Sequence, residues 1–152
     1  MDRNQITNYD ESLMLYIETN EGFRANPYYD TTGHQTIGYG FNMDIIQNLP
    51  EPISETQAET VLSGLLDELT PQIESEYGEV PYSVKIVLTD MAYNMGFAGL
   101  MEFDTFNGYI QGGDYEAAAN DLTETLWYSQ VGIRGIRAQT NIINATNDYI
   151  EI

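Results

Sequence analysis

Apolar side chains recur at helical spacing along most of the chain, and one stretch near the front interrupts that period. Between residues 10 and 20 they lie on one face of a predicted helix, which Asn8 or Asp10 caps and Gly22 ends. Over 23–41, turn residues and strand-forming residues replace the helical period, which predicts a β-hairpin or a small sheet. The front of the chain is therefore predicted to be a helix followed at once by a hairpin.

A longer helix is predicted over residues 54–76. Ser54 and Gln57 have the spacing of a capping box, and a stripe of apolar residues follows them. Pro71 is expected to break or re-cap this helix, since proline removes a backbone donor from a helix interior. The remaining apolar periods predict helices at about 82–95, 98–111, 114–123 and 133–148.

These elements predict a predominantly helical α+β fold in two lobes. Residues 1–11 form a polar N-terminal extension without an assigned element, 12–53 an N-terminal lobe with the hairpin, 54–76 the helix between the lobes, and 77–152 a helical C-terminal lobe. The β structure is expected only within 23–41. With 152 residues, 42% of them hydrophobic, we expect one compact domain. A cleft between two lobes is a natural place for a ligand.

Composition argues against several kinds of active site. The chain has no cysteine, which excludes disulfides and thiolate chemistry, and its single histidine, His34, argues against a histidine metal cluster or a Ser-His-Asp triad. We therefore expect neither a metal nor another cofactor, and we expect His34 to be exposed and without a catalytic role.

No apolar run approaches the length of a membrane helix, and the N-terminal segment lacks the regions of a secretory signal. We expect a soluble protein made in a cytoplasm.

The charge is strongly one-sided. Five Lys and Arg residues stand against 24 Asp and Glu residues, a formal net charge of −19. Such a surface repels phosphate backbones and anionic membranes, so we expect no nucleic-acid partner and no stable membrane association. We interpret the acidity first as a solvation trait such as adaptation to salt. An acidic surface built for a cationic partner is the alternative.

Two carboxylates flank the start of the hairpin, Glu21 at a helix end and Asp30 at a tight turn. Such a pair can cleave a glycosidic bond when one carboxyl is protonated and the other ionised. Burial against a core can keep Glu21 protonated, and turn N–H and hydroxyl groups can keep Asp30 ionised. Thr36, on the returning strand, can hold a water beside Asp30. Spacing alone leaves open the alternative of an acidic surface hairpin.

The ordered string of residues is more specific than the spacing. Residues 21–40, EGFRANPYYDTTGHQTIGYG, resemble the active-site segment of bacteriophage lysozymes, the muramidases of glycoside hydrolase family 24. Similar segments follow in the family's order: YNMG (93–96), FDTF (103–106), DYEAAA (114–119), WYSQ (127–130) and RGIR (134–137). The resemblance covers roughly residues 12–148. It implies a lysozyme-like fold with a small β-hairpin lobe and a helical C-terminal lobe joined by a long helix.

The resemblance also implies roles for individual residues. Glu21 would be the general acid, Asp30 the partner carboxylate and Thr36 the residue that positions the hydrolytic water. The implied supporting residues are Gly40 and Arg134, the latter an arginine that reaches the acid across the lobe interface. Whether burial or this arginine decides the pKa of Glu21 stays open at this point. The implied substrate-binding residues are Asn42, Tyr93, Asn94 and Phe106, with helix core as the alternative for Tyr93 and Phe106. Trp127 is expected in the core.

The implied activity is that of a cofactor-free, monomeric muramidase. It would cleave the β-1,4 bond between N-acetylmuramic acid and N-acetylglucosamine in peptidoglycan glycan strands, usually with inversion. It would stay in the host cytoplasm until released to the cell wall. The alternatives are a lytic transglycosylase, a chitinolytic enzyme, and a non-catalytic glycan-binding or virion module. Phe41 replaces a frequent histidine of the family, and the segment between Phe41 and Ser54 is short, which predicts less sheet in the small lobe.

Overall fold

A computed structural model describes residues 1–152 of the chain. It contains eight helices and five short strands: β1 (Arg3–Gln5), α1 (Tyr9–Glu21), β2 (Arg24–Tyr29), β3 (Gln35–Gly38), β4 (Phe41–Asn42), α2 (Glu55–Tyr77), α3 (Tyr82–Met95), α4 (Phe97–Met101), α5 (Asp104–Gln111), α6 (Tyr115–Leu122), α7 (Leu126–Val131), α8 (Ile133–Asn144) and β5 (Tyr149–Glu151). The predicted class, a predominantly helical α+β fold, is confirmed. None of the helices has the length and apolarity that crossing a lipid bilayer requires.

Helix α1 and the sheet that follows it form as the sequence predicts. The Asn8 side chain caps α1 by accepting a hydrogen bond from the Glu11 backbone N–H, and Gly22, at φ 70°, ends it. The chain then turns into an antiparallel sheet in the order β2-β3-β4, in which Thr36 lies opposite Asn42. This order places the C-terminal end of α1 directly beside the sheet.

The expectation that β structure is confined to residues 23–41 is wrong. Strands β1 and β5 form a second antiparallel sheet, in which Arg3 lies opposite Glu151. The predicted extension over 1–11 therefore supplies a strand and the start of α1. The pairing was invisible to local patterns because each strand has three residues and its partner lies at the far end of the chain. Asn141 fixes β5, since its side chain exchanges two hydrogen bonds with the Glu151 backbone, each 2.8 Å long.

The predicted capping box of α2 is confirmed, but the predicted break at Pro71 is wrong. Ser54 and Gln57 exchange the two capping hydrogen bonds, and the helix continues through Pro71 to Tyr77. Pro71 and Asp67 are both exposed, so water can reach the carbonyl that proline leaves without a partner. Beyond the proline, buried Ile73 and Tyr77 hold the last turns against the core.

In the second half, two predicted helices need correction and one helix was not predicted. The segment 98–111 is two helices, α4 and α5, because the chain leaves helical geometry at Phe103. The Asn107 side chain donates to the Leu100 carbonyl over 2.8 Å and satisfies an acceptor at the break. Helix α7 was missed, since six residues are too few to display a period. Helix α8 stops at Asn144, where Ala145 adopts a left-handed conformation that turns the chain towards β5.

The core is one cluster of 28 buried hydrophobic residues. Helix α3 lies at its centre and packs against α1, α2 and α8. The middle of α3 is buried over consecutive residues from Ile86 to Ala92, and this run includes one acid, Asp90. A charged group at that depth requires a partner, and the partner lies at the candidate site.

Candidate active site

A cleft of about 460 Å³ lies between the β2-β3-β4 sheet and helix α3. Its lining contains both carboxylates that the sequence singled out: Glu21, Arg24, Tyr28, Tyr29, Asp30, Thr31, Thr36, Gly40, Tyr93 and Asn94. The fold thus brings Glu21, Asp30 and Thr36 to one surface. It adds Tyr93 and Asn94 from α3, more than fifty residues further along the chain.

Glu21 is the last residue of α1 and has a half-buried position. One of its oxygens, Oε1, accepts a hydrogen bond of 2.9 Å from Nη1 of Arg134. The other lies against Gly40, where an added Cβ would overlap Oε2 and come within 3.0 Å of Cδ. Burial raises the pKa of Glu21, and this effect outweighs the opposing attraction of Arg134. In the competition that the sequence left open, burial therefore has a larger effect on the pKa of Glu21 than Arg134 has.

Arg134 connects Glu21 to the core. Its guanidinium donates to both oxygens of Asp90, from Nε to Oδ2 over 3.0 Å and from Nη2 to Oδ1 over 2.7 Å. Asp90 is fully buried and Arg134 is 7% exposed. Burial disfavours the charged guanidinium, but the carboxylates of Asp90 and Glu21 outweigh that effect and raise the pKa of Arg134. The three side chains form one hydrogen-bonded cluster that runs from buried Asp90 to Glu21 on the cleft.

Asp30 has the opposite environment. Its Oδ1 accepts three hydrogen bonds, from the Thr32 hydroxyl at 2.8 Å and from the backbone N–H groups of Thr32 and His34 at 2.9 Å each. The Thr32 hydroxyl and the His34 N–H lower the pKa of Asp30, because they stabilise the ionised form. Oδ2 accepts no hydrogen bond from the protein. One oxygen thus fixes the carboxylate, and the other remains available to a water or a substrate.

Thr36 lies beside Asp30 on β3 and is 4% exposed. Its hydroxyl donates to the His34 carbonyl over 2.9 Å, which fixes the direction of the hydroxyl hydrogen. The Thr36 oxygen keeps its acceptor capacity, so a water in the cleft can donate to it. The His34 side chain itself is half exposed, and its Nδ1 lies 3.6 Å from Oδ2 of Asp44.

Two of the four predicted substrate-binding residues, Tyr93 and Asn94, line the cleft, and each makes a hydrogen bond to a residue outside the cleft. The Tyr93 hydroxyl donates to the Tyr39 carbonyl over 2.5 Å. Asn94 Oδ1 accepts a hydrogen bond of 2.8 Å from the Trp127 indole. Trp127 is 7% exposed, so it belongs to the core and holds Asn94. This contact leaves the Asn94 amide NH₂ free to donate to a ligand.

The other two predicted residues lie elsewhere. Phe106 has no exposed surface and packs edge-on against Phe103, so it belongs to the core and cannot contact a ligand in the cleft. Asn42 lines a neighbouring, mostly apolar cavity of about 280 Å³, which shares Gly40 and Tyr93 with the cleft. Its Oδ1 accepts from the Asp44 backbone N–H over 2.9 Å and shapes the loop after β4.

Sequence reasoning missed several residues of the site. Tyr28, Tyr29 and Thr31 line the cleft without having been assigned there. Arg24 lines the cleft as well; its guanidinium lies over the Tyr28 ring at 4.3 Å and forms no ion pair. Asp90 carried a usable signal, since it is the only acid of α3 and stands in the mostly apolar run from Ile86 to Ala92. No group of three or more His, Cys, Asp or Glu side chains is arranged to hold a metal ion.

The sequence model described as phage lysozyme matches residues 18–141, which include all the residues of the cleft. The chain is also similar to the pre-baseplate central spike protein Gp5 of Enterobacteria phage T4, with 26% identity over 163 aligned residues. That alignment covers 90% of this chain and 28% of Gp5, so the chain spans less than a third of the length of this relative.

Proposed function

The chain belongs to the phage lysozyme family, and we propose that it is a muramidase that hydrolyses peptidoglycan. The bond cleaved would be the β-1,4 linkage between N-acetylmuramic acid and N-acetylglucosamine. One observation carries the proposal: two carboxyl groups on the same cleft have pKa values shifted in opposite directions, upward for Glu21 and downward for Asp30. Glycoside hydrolysis by two carboxyl groups needs this division into an acid and a base.

Glu21 is assigned the general acid. In its protonated form it donates to the glycosidic oxygen as the bond to the sugar breaks, and it becomes a carboxylate. Nη1 of Arg134, already 2.9 Å from Oε1, stabilises that carboxylate without rearrangement. The same arginine therefore opposes protonation before the reaction and favours the product form of the acid after it.

Asp30 and Thr36 are assigned to the water. A water that donates one hydrogen to Thr36 Oγ1 and the other to the free Oδ2 of Asp30 is oriented with its lone pair towards the sugar. Asp30 accepts a proton as this water attacks the anomeric carbon. Attack by a water held between the two carboxyl groups gives inversion, for which the carboxyl separation is about 6.5–9.5 Å. We propose the inverting course on this basis.

Turbidity loss of permeabilised bacterial cells, with quantification of new reducing ends, tests the function. The panel is the wild type, Glu21→Gln, Asp30→Asn and the control Glu11→Gln, which changes an exposed acid at the other end of α1. We expect wild type and control to clear the suspension, and each cleft variant to lose at least about 100-fold in rate, the order that acid–base catalysis contributes.

Other outcomes would point to other functions. Binding to cell walls without release of reducing ends would replace the enzyme by a glycan-binding module. Products with 1,6-anhydro ends would replace hydrolysis by transglycosylation, in which the muramyl 6-hydroxyl takes the role of the water. Clearing by Glu21→Gln at the wild-type rate would refute the assignment of the acid.

A further inference from the structure

Asp90 has no role in the acid–base steps, yet it is the deepest charged group of the protein. It has no exposed surface and lies within the continuously buried run from Ile86 to Ala92 of α3. Both of its oxygens accept hydrogen bonds from a single side chain, Arg134, at 3.0 and 2.7 Å. A buried carboxylate with all of its contacts on one guanidinium orients that group strictly, since the two planar groups meet in a two-point contact.

The two-point contact decides which part of Arg134 reaches the acid. Nε and Nη2 are bound to Asp90, so Nη1 is the nitrogen that remains to contact Glu21, at 2.9 Å. Arg134 lies on α8 and Asp90 on α3, while Glu21 ends α1. The guanidinium is thus fixed between three helices, with one edge in the core and one on the acid.

Asp90 also changes the charge that Glu21 experiences. Arg134 alone would place an uncompensated cation in hydrogen-bond contact with a half-buried acid and favour its ionised form. The negative charge of Asp90 opposes this effect. The other groups that face Glu21 are Tyr93 on α3, Tyr28 and Arg24 on β2, and Asp30 across the cleft. None of these four hydrogen-bonds to Arg134, so Asp90 alone both holds the cation and compensates it.

We propose that Asp90 is a positioning residue for the proton donor: it fixes Arg134 in contact with Glu21 and offsets its charge, so that the acid stays protonated beside a cation. The inference rests on the proposed role of Glu21 as general acid. It explains how one arginine can stabilise the carboxylate that forms during the reaction without ionising the acid beforehand.

Asp90→Asn tests this, because asparagine keeps the shape and one oxygen acceptor but removes the charge. We expect the pKa of Glu21, followed by NMR titration of its ¹³C-labelled carboxyl group, to fall below its wild-type value, because the charge of Arg134 is no longer compensated. The high-pH limb of the pH–activity profile should shift to lower pH by the same amount, so that activity recovers at lower pH. An unchanged or higher pKa of Glu21 would overturn the proposal, as would a uniform loss of activity with an unmoved limb.

The control is Asp67→Asn, which makes the same charge change at an exposed position on α2. It should leave the pKa of Glu21 and the pH profile of activity unchanged. If Asp90→Asn does not fold, NMR of the Arg134 side chain in the wild-type protein still tests the positioning role. A fixed Arg134 must give separate, slowly exchanging Nε–H and Nη–H signals, and averaged signals would refute the positioning role. The NMR titration needs no substrate, so it tests the role of Asp90 independently of the proposed activity. If the wild type has no lytic activity but the pKa of Glu21 still falls in Asp90→Asn, only the muramidase proposal is refuted.

Discussion

Gly40→Ala is expected to separate the activity of this protein from its stability. Gly40 has φ +75°, a conformation that costs a residue with a side chain about 1–2 kcal/mol. The new methyl group would also overlap Oε2 of Glu21 and lie 3.0 Å from its Cδ. Because the carboxyl group is the end of a flexible side chain, Glu21 moves rather than the backbone. The overlap should therefore add little to the loss of stability.

The displacement of Glu21 should have a large effect on the rate. A shift of about 1 Å in a reacting group lowers a rate by about 100-fold. Gly113→Ala is the matched control, since Gly113 has the same φ of +75° and no atom within 4 Å of the added Cβ. It lies in the turn between α5 and α6, away from the cleft.

The assay combines denaturant unfolding with initial rates of cell-wall clearing on the same preparations. Both variants should lose about 1–2 kcal/mol of unfolding free energy and agree within about 0.5 kcal/mol, while only Gly40→Ala loses about 100-fold in rate. In a Glu21→Ala background the two glycine variants should be equally stable. Wild-type activity per folded molecule in Gly40→Ala would refute the claim that a side chain at position 40 displaces Glu21 from its active position.

Four further outcomes are expected. Burial raises the pKa of Glu21 in the folded state, so wild-type stability should fall as pH rises through the interval just above 4.5, and Glu21→Gln should remove that slope in thermal unfolding; parallel pH profiles would contradict it. Thr36→Val removes the hydrogen bond to His34, which should cost about 1 kcal/mol, and removes the proposed water contact; retention of more than a tenth of the lytic rate would argue against that contact. Phe106→Leu should destabilise the core by about 1–2 kcal/mol and leave KM unchanged, whereas a higher KM would return Phe106 to the binding surface. Because salt screens the charge of −19 from anionic cell walls, lysis should rise with added salt before any inhibition, and a fall from the lowest salt onward would refute this.

Features that depend on neighbouring residues were predictable from the sequence. The Asn8 cap, the Gly22 stop and the capping box at Ser54 each follow from contacts within a few positions. The environment of Asp30 is equally local, since all its hydrogen-bond donors lie within four residues of it. Local patterns therefore determined most of the helices, the hairpin and one half of the acid–base pair.

The tertiary structure decided whatever depends on residues that meet only after folding. Arg134 contacts Glu21 across 113 positions, and β1 pairs with β5 from the opposite end of the chain. Packing buries Phe106 and leaves the helix around Pro71 intact, although local propensity favours a break there. The pKa of Glu21 depends in the same way on how far the assembled core removes water from its carboxyl group. The sequence by itself determined that Glu21 and Asp30 are present at a helix end and a turn, and only the packed helices decided that the pKa of Glu21 is raised, because packing removes water from its carboxyl group.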